Sequence, residues 1–184
     1  RPSMILVVSL SPAWQRTLEF RELVPGKVNR AVRASETASG KGVNVARVAT
    51  QLGANARLLT VAGGARGRQL IAAMKTQRLP ADVVRVKAET RICQTLIAAG
   101  TVTELVEEAG ALSSVEASRV IARVDRELRR ATLVVLTGTV PPGCGDDFYA
   151  RLIRRCNAPV LVDTQHTQLA NAIAARPFAV KINR

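Results

Sequence analysis

Ser39-Gly40-Lys41-Gly42-Val43-Asn44 sets two glycines, a cation and a carboxamide at the start of a segment with helical spacing. Glycines let a ligand approach the backbone, and a helix N-terminus favours anions. Lys41 adds a full positive charge, and Asn44 can hydrogen-bond hydroxyls. That combination suits a phosphorylated or hydroxyl-rich small molecule. It is not a GxxxxGK[ST] phosphate loop, and the same pattern serves equally well as a turn that starts a helix.

Other segments carry groups of the same kind. Thr137-Gly138-Thr139-Val140-Pro141-Pro142-Gly143 offers two hydroxyls and flexible amides that can hold a phosphate or a sugar, or is a turn shaped by its prolines. Glu89-Thr90-Arg91 contains a guanidinium suited to bidentate phosphate recognition, although a lone Arg is more often a surface residue. Gly63-Gly64-Ala65-Arg66-Gly67 reads first as a tight turn between strand and helix, and Ser11–Arg16 follows the first strand. Asp163 closes a strand, where a carboxylate faces a ligand or a metal-bound water, or caps the next helix. His166 is the sole histidine, and without a GxSxG segment it reads as a loop residue, not a general base. Cys93, Cys144 and Cys156 are odd in number and form no CxxC. They read as reduced thiols, neither a disulfide frame nor a zinc site.

The elements that position these groups follow from periodicity. Met4–Leu10 is a continuous apolar run suited to a strand buried on both faces. Thr17–Leu23 and Lys27–Ala34 flank the turn signal Pro25-Gly26 and form a small hairpin, with Ser35–Gly42 a loop after it. Val45, Val48, Ala49 and Leu52 recur at helical spacing before Gly53. Arg57–Val61 is strand-like, Leu70–Met74 helical, and Val83–Val86, Arg91–Ala98 and Thr101–Val106 are β-rich with a turn at Gly100. Ser113 and Glu116 make a capping-box pair for the helix Ser114–Arg130. Thr132–Leu136, Pro159–Val162 and Phe178–Ile182 read as strands, and Asp146–Cys156 and Leu169–Ala175 as helices. Alternating strands and helices imply an α/β fold with a mainly parallel sheet. The inserted β-rich pieces imply a small lid. The division is 4–12, 35–90 and 107–184 for the core, and 13–34 and 91–106 for the lid.

The chain has 184 residues and a formal net charge of +13. With 47% apolar and 22% charged residues it is too apolar for a disordered tail. Runs such as Met4–Val8 are far too short to cross a bilayer, and no signal peptide is recognisable, so a cytoplasmic location is expected. The charge raises nucleic-acid binding first. Yet the arginines are spread along the chain and aromatic residues are 3%, too few for base stacking. Arg119, Arg123, Arg126 and Arg130 lie off the apolar stripe of Val120, Ile121, Val124 and Leu128, which makes a solvated helical face the better reading.

Taken in order, eight segments resemble the ribokinase-like PfkB family of carbohydrate kinases: Ser11-Pro12-Ala13, Gly26–Ala31, Gly40–Arg47, Glu89-Thr90-Arg91, Thr103-Glu104, Thr137–Gly143, Val162-Asp163-Thr164 and Lys181–Arg184. The nearest branch is 1-phosphofructokinase, with tagatose-6-phosphate kinase close behind. The resemblance implies a Rossmann-type core with a β-clasp lid that often makes a homodimer contact. It implies transfer of the ATP γ-phosphoryl, with Mg²⁺, to a sugar phosphate such as fructose 1-phosphate. It places Gly40, Lys41 and Asn44 at the sugar, Lys27, Asn29 and Arg91 on the lid reaching the substrate, Thr139 at the existing phosphate, and Lys181 and Asn183 beside the nucleotide. Phosphorylated sugar and ATP are polyanions, which suits an Arg-rich chain.

The departures carry expectations of their own. Gln15 stands where the family has an Asp that accepts bonds from sugar hydroxyls, so a neutral acceptor replaces a charged one. Ser39 stands for a Gly, Cys93 for an Asn and His166 for a Gly. The family's catalytic Asp lies beyond Arg184, so the C-terminal part of the fold is expected to be absent, no catalytic residue is assigned, and these residues alone are expected to be inactive. Phe178–Ile182 would then be an exposed sheet edge. A non-catalytic sugar-phosphate-binding descendant is the alternative.

Overall fold

A computed structural model describes residues 3–182. The chain runs β1 Ile5–Val8, β2 Ala13–Phe20, β3 Arg33–Ser39, α1 Lys41–Gln51, β4 Ala56–Ala62, α2 Gly64–Thr76, β5 Ala81–Arg85, β6 Arg91–Ala98 and β7 Thr101–Val106. It continues through α3 Ser114–Leu128, β8 Leu133–Thr137, α4 Phe148–Arg155, β9 Val160–Asp163, α5 His166–Ala174 and β10 Ala179–Val180.

Six strands form one parallel sheet in the order β10-β9-β8-β1-β4-β5. Successive residues of a strand face opposite sides, and the two cores show it. Leu6 and Val8 of β1, with Leu59 and Val61 of β4, pack with Val120, Val124, Leu152 and Ala172 of α3, α4 and α5. Val7 and Leu58 point the other way, to Val43, Ala46, Leu70 and Met74 of α1 and α2. Burial on both faces is why β1 and β8 read as unbroken apolar runs. Ser113 caps α3 in a complete capping box with Glu116.

The lid is a second sheet, ordered β3-β2-β6-β7. Here the sequence-based boundaries move. The hairpin arms are Ala13–Phe20 and Arg33–Ser39, so the lid continues to Ser39, beyond the boundary at residue 34 that the sequence pattern implies. Ser35 to Ser39 therefore form strand, not loop: their side chains, mostly polar or small, lack a strand pattern, but the ladder Thr17↔Ser35, Gln15↔Thr37 and Ala13↔Ser39 holds the backbone extended. Helix α2 begins earlier than its apolar residues indicate, at Gly64 inside the glycine-rich turn.

Among the described residues β10 is the outermost strand at the other margin, with Phe178 75% and Ile182 66% exposed. The arginines of α3 are ion-paired at its surface, Arg123 and Arg126 with Asp82 and Arg126 also with Glu127. No helix among the described residues is long and apolar enough to cross a membrane.

Candidate functional site

From β1 the chain steps outward to β4 and β5, then returns to β8 on the opposite side of β1 and proceeds to β9 and β10. Such a reversal opens a crevice at the carboxyl ends of the two strands that flank it, where ligands of α/β sheets bind. Those ends supply Ser9 and Ser11 after β1, and Thr137, Gly138 and Thr139 from β8 onward. Thr139 Oγ1 donates to Ser11 Oγ at 3.1 Å across the crevice. Gly138 has a φ of 85°, and a Cβ there would come within 3.3 Å of both Ser9 and Ser11 hydroxyls.

The loop bearing Thr139 is held from below. The buried Tyr149 hydroxyl donates to the Thr137 and Gly138 carbonyls at 3.0 and 3.1 Å. Gln168 accepts from the Val140 N–H at 2.9 Å and donates to the Val140 carbonyl at 3.1 Å, as a neighbouring strand would. Val140, Gln165, His166 and Gln168 line an open cleft of about 520 Å³ beside Thr139.

Both glycines of Gly40-Lys41-Gly42 are required sterically. Gly40 has a φ of 108° and lies against Pro12 and Ala13. A Cβ on Gly42 would collide with Ser9 Cβ. They bring the start of α1 directly onto the end of β1, and α1 has no side-chain N-cap. Helix α2 differs. There the Glu89 carboxylate accepts from the Ala65 and Arg66 N–H groups at 3.2 and 2.7 Å. Those bonds, that to Arg66 foremost, hold the Glu89 carboxyl below its ordinary range. The protein's own carboxylate thus fills the anion position of α2, whereas α1 has no side-chain cap bond.

Lys41 Nζ lies 3.0 Å from Asp163 Oδ1, and Lys181 Nζ lies 3.9 Å from the same oxygen. Thr137 Oγ1 donates to Asp163 Oδ2 at 3.3 Å. Asp163 is therefore not a helix cap, since Gln165 occupies that position for α5. Arg91 donates from Nε and Nη2 to the Ser11 carbonyl at 3.3 and 3.0 Å, and from Nη1 to the Glu107 carbonyl at 3.0 Å. A guanidinium has five donors, so two remain for a ligand.

The structure gathers Gly40, Lys41, Arg91 and Thr139 around Ser11 and Asp163, with Lys181 at the same carboxylate. The other described residues singled out in the sequence are bonded to different partners in this structure or exposed. Gln15, on β2 opposite Cys93, donates from Nε2 to Thr95 Oγ1 at 2.8 Å. Asn44 Oδ1 accepts from Arg47 at 2.7 Å. Asn29 spends its amide within the lid loop, bonding the Val24 N–H and carbonyl and the Lys27 carbonyl, and Lys27 is exposed in that loop. Asn183 lies outside the described residues.

Burial pushes the Cys93 and Cys144 thiols up, so neither is an activated thiolate. Among the described residues no group of three or more His, Cys, Asp or Glu could hold a metal, and Asp163 is engaged by Lys41 and Thr137. These residues do not by themselves fit a Mg²⁺ site.

Residues 5–184 match the pfkB family carbohydrate kinases. The chain belongs to the PfkB family. Among solved structures, this PfkB chain is similar to a possible 1-phosphofructokinase of Thermotoga maritima, with TM-score 0.88 and 23% identity over 96% of this chain and 59% of that one. The tetrameric inhibited form of phosphofructokinase-2 from Escherichia coli gives TM-score 0.85 and 25% identity, over 94% and 58%. The ribokinase of Giardia lamblia gives 0.72 and 16%, over 88% and 54%. The PfkB chain thus spans less than two thirds of the length of these proteins, and its two sheets have the ribokinase-like arrangement.

Proposed function

We propose that this PfkB chain is the sugar-phosphate-binding part of an ATP-dependent kinase that phosphorylates a ketohexose phosphate such as fructose 1-phosphate. The observation that carries this reading is the crevice where Ser11 and Thr139 meet, with Lys41 and Arg91 beside them and the uncapped start of α1. Phosphoryl transfer is mainly positioning and charge neutralisation. Arg91 and Thr139 would hold the existing phosphate, and Gly40, Lys41, Asn44 and Gln15 the sugar. Lys27 and Asn29 would close from the lid, and Lys181 with Asn183 would stand at ATP. Mg²⁺ would be held mainly by the nucleotide phosphates. The lid would also make a homodimer contact: β7 is exposed throughout, including Val102, Leu105 and Val106. The setting would be the cytoplasm.

Calorimetric titration of the 184 residues tests the reading. Fructose 1-phosphate should bind more tightly than fructose or inorganic phosphate, and tagatose 6-phosphate in place of it would move the assignment to that kinase. Equal affinity for sugar phosphate and inorganic phosphate would refute it. With ATP, Mg²⁺ and sugar phosphate these residues should release no ADP, and sustained turnover would overturn the binding-part reading.

A second reading, a sugar-phosphate sensor without catalysis, is favoured by Gln15, a neutral amide fixed to Thr95 where a carboxylate is the family pattern. The parent gene product and its Gln15→Asp variant discriminate: robust wild-type turnover eliminates the sensor.

A further inference from the structure

We propose that Arg66 is a positioning residue that sets the lid on the core and, through Glu107, aims the Arg91 guanidinium. The ligand part of this proposal rests on the sugar-phosphate reading; the mechanical part does not.

The lid joins the core where the chain leaves β1, returns at β3, leaves again into β6 and returns after β7. Arg66, in the first turn of α2, stands between the acidic residues beside the last two crossings. Its Nη1 lies 2.9 Å from Glu107 Oε2, and its Nε 3.6 Å from Glu89 Oε1. Glu107 Oε2 also accepts from the Ile92 N–H at 3.0 Å, and the Glu107 carbonyl accepts from Arg91 Nη1 at 3.0 Å. Arg91 in turn grips the Ser11 carbonyl at the end of β1. The path from α2 to the crevice is therefore Arg66, Glu107, Arg91, Ser11. Beside it, Thr90 is buried, donating its N–H to the Gly63 carbonyl and accepting from the Gly63 N–H.

The chemistry requires an arginine. A planar guanidinium presents Nε and Nη1 to two carboxylates on different sides at once, which a single ammonium cannot do with fixed geometry. Each pair is partly exposed and adds little to global stability. Its effect falls on local order, because Glu107 bonds both an edge-crossing amide and the segment that holds Arg91.

The experiment compares the 184-residue chain with Arg66→Gln, Arg66→Lys, Glu107→Gln and the Arg66→Gln/Glu107→Gln double variant. Amide hydrogen exchange without ligand should quicken at Ile92 by about fivefold in Arg66→Gln, with Val7 in β1 unchanged and Arg66→Lys intermediate. The preference for fructose 1-phosphate over fructose should fall in both single variants, and the double variant should be no worse than the poorer single one, because the residues act in one path. Unchanged exchange at Ile92, or fully additive losses, would overturn the proposal. If the wild type binds no sugar phosphate, the functional reading fails while the exchange at Ile92 still decides this one.

Discussion

Lys41 and Asp163, 122 residues apart in sequence, meet at 3.0 Å where the start of α1 faces the end of β9. The Lys41 side chain is 43% exposed and that of Asp163 19%, so the pair contributes at most about 1 kcal/mol to stability. On the proposed function its role is to place a cation at the crevice. Lys41→Met should leave the thermal midpoint nearly unchanged but weaken fructose 1-phosphate by about tenfold, the worth of a charge-assisted hydrogen bond. Parallel scanning calorimetry and titration separate the effects. A variant that melts much earlier yet binds normally would make Lys41 structural.

Gly42 makes the opposite kind of prediction, one of shape. A methyl group there meets Ser9 Cβ, and Leu58 Cδ1 stands 3.3 Å away. Gly42→Ala should destabilise by about 1–3 kcal/mol through overpacking. Ser9→Gly on that background should recover most of the loss, since the collision is with that side chain. Urea unfolding of the two single variants and the pair measures it. No recovery would mean that α1 moves as a whole to accept the methyl.

These two residues also show what could be read before folding. The glycine-lysine-glycine segment and the loop from Thr137 were visible because glycines, prolines and hydroxyls cluster locally, and the buried strands because their apolar runs are continuous. The position of Asp163 at a strand end suits a ligand or a cap equally, and only the fold brings it to Lys41. Arg66 is legible only as part of a glycine-rich turn, and Glu107, Gln168 and Tyr149 carry no sequence signal, because each acts on a partner distant in sequence or through backbone groups that leave no pattern. The strand Arg33–Ser39 was hidden for a related reason: its neighbours, not its own residues, make it extended.

Tyr149 supports the Thr139 loop through two carbonyls from a fully buried position. Burial pushes its phenol up, so it remains a neutral donor at any working pH. Tyr149→Phe keeps the ring and loses the donor. The Gly138 carbonyl retains the Thr164 hydroxyl at 3.0 Å, but the Thr137 carbonyl loses this side-chain donor. The cost should be about 1–3 kcal/mol in urea unfolding, without a change in the denaturant slope. A neutral outcome would show that the loop keeps its shape on Gln168 and Thr164.

Glu116 should govern part of the acid limb of stability. Its carboxylate accepts from the Ser113 N–H and hydroxyl at 2.9 and 2.8 Å and from the Lys87 N–H at 2.7 Å. These bonds, led by that from Ser113, lower its pKa from 4.5 to about 2. A carboxyl with a depressed folded-state pKa stabilises fully above its unfolded value and loses that contribution as pH falls toward the folded value. The stabilisation should therefore be complete above pH 4.5 and disappear on approach to pH 2. Glu116→Gln cannot ionise, so its stability should fall below that of the wild type at neutral pH and converge with it in acid. Glu89 and Glu107, whose carboxyls are also lowered, titrate in both proteins and cancel in the difference. Urea midpoints measured for both proteins across this range test it. A constant gap down to pH 2 would show that the amide loses shape complementarity rather than charge.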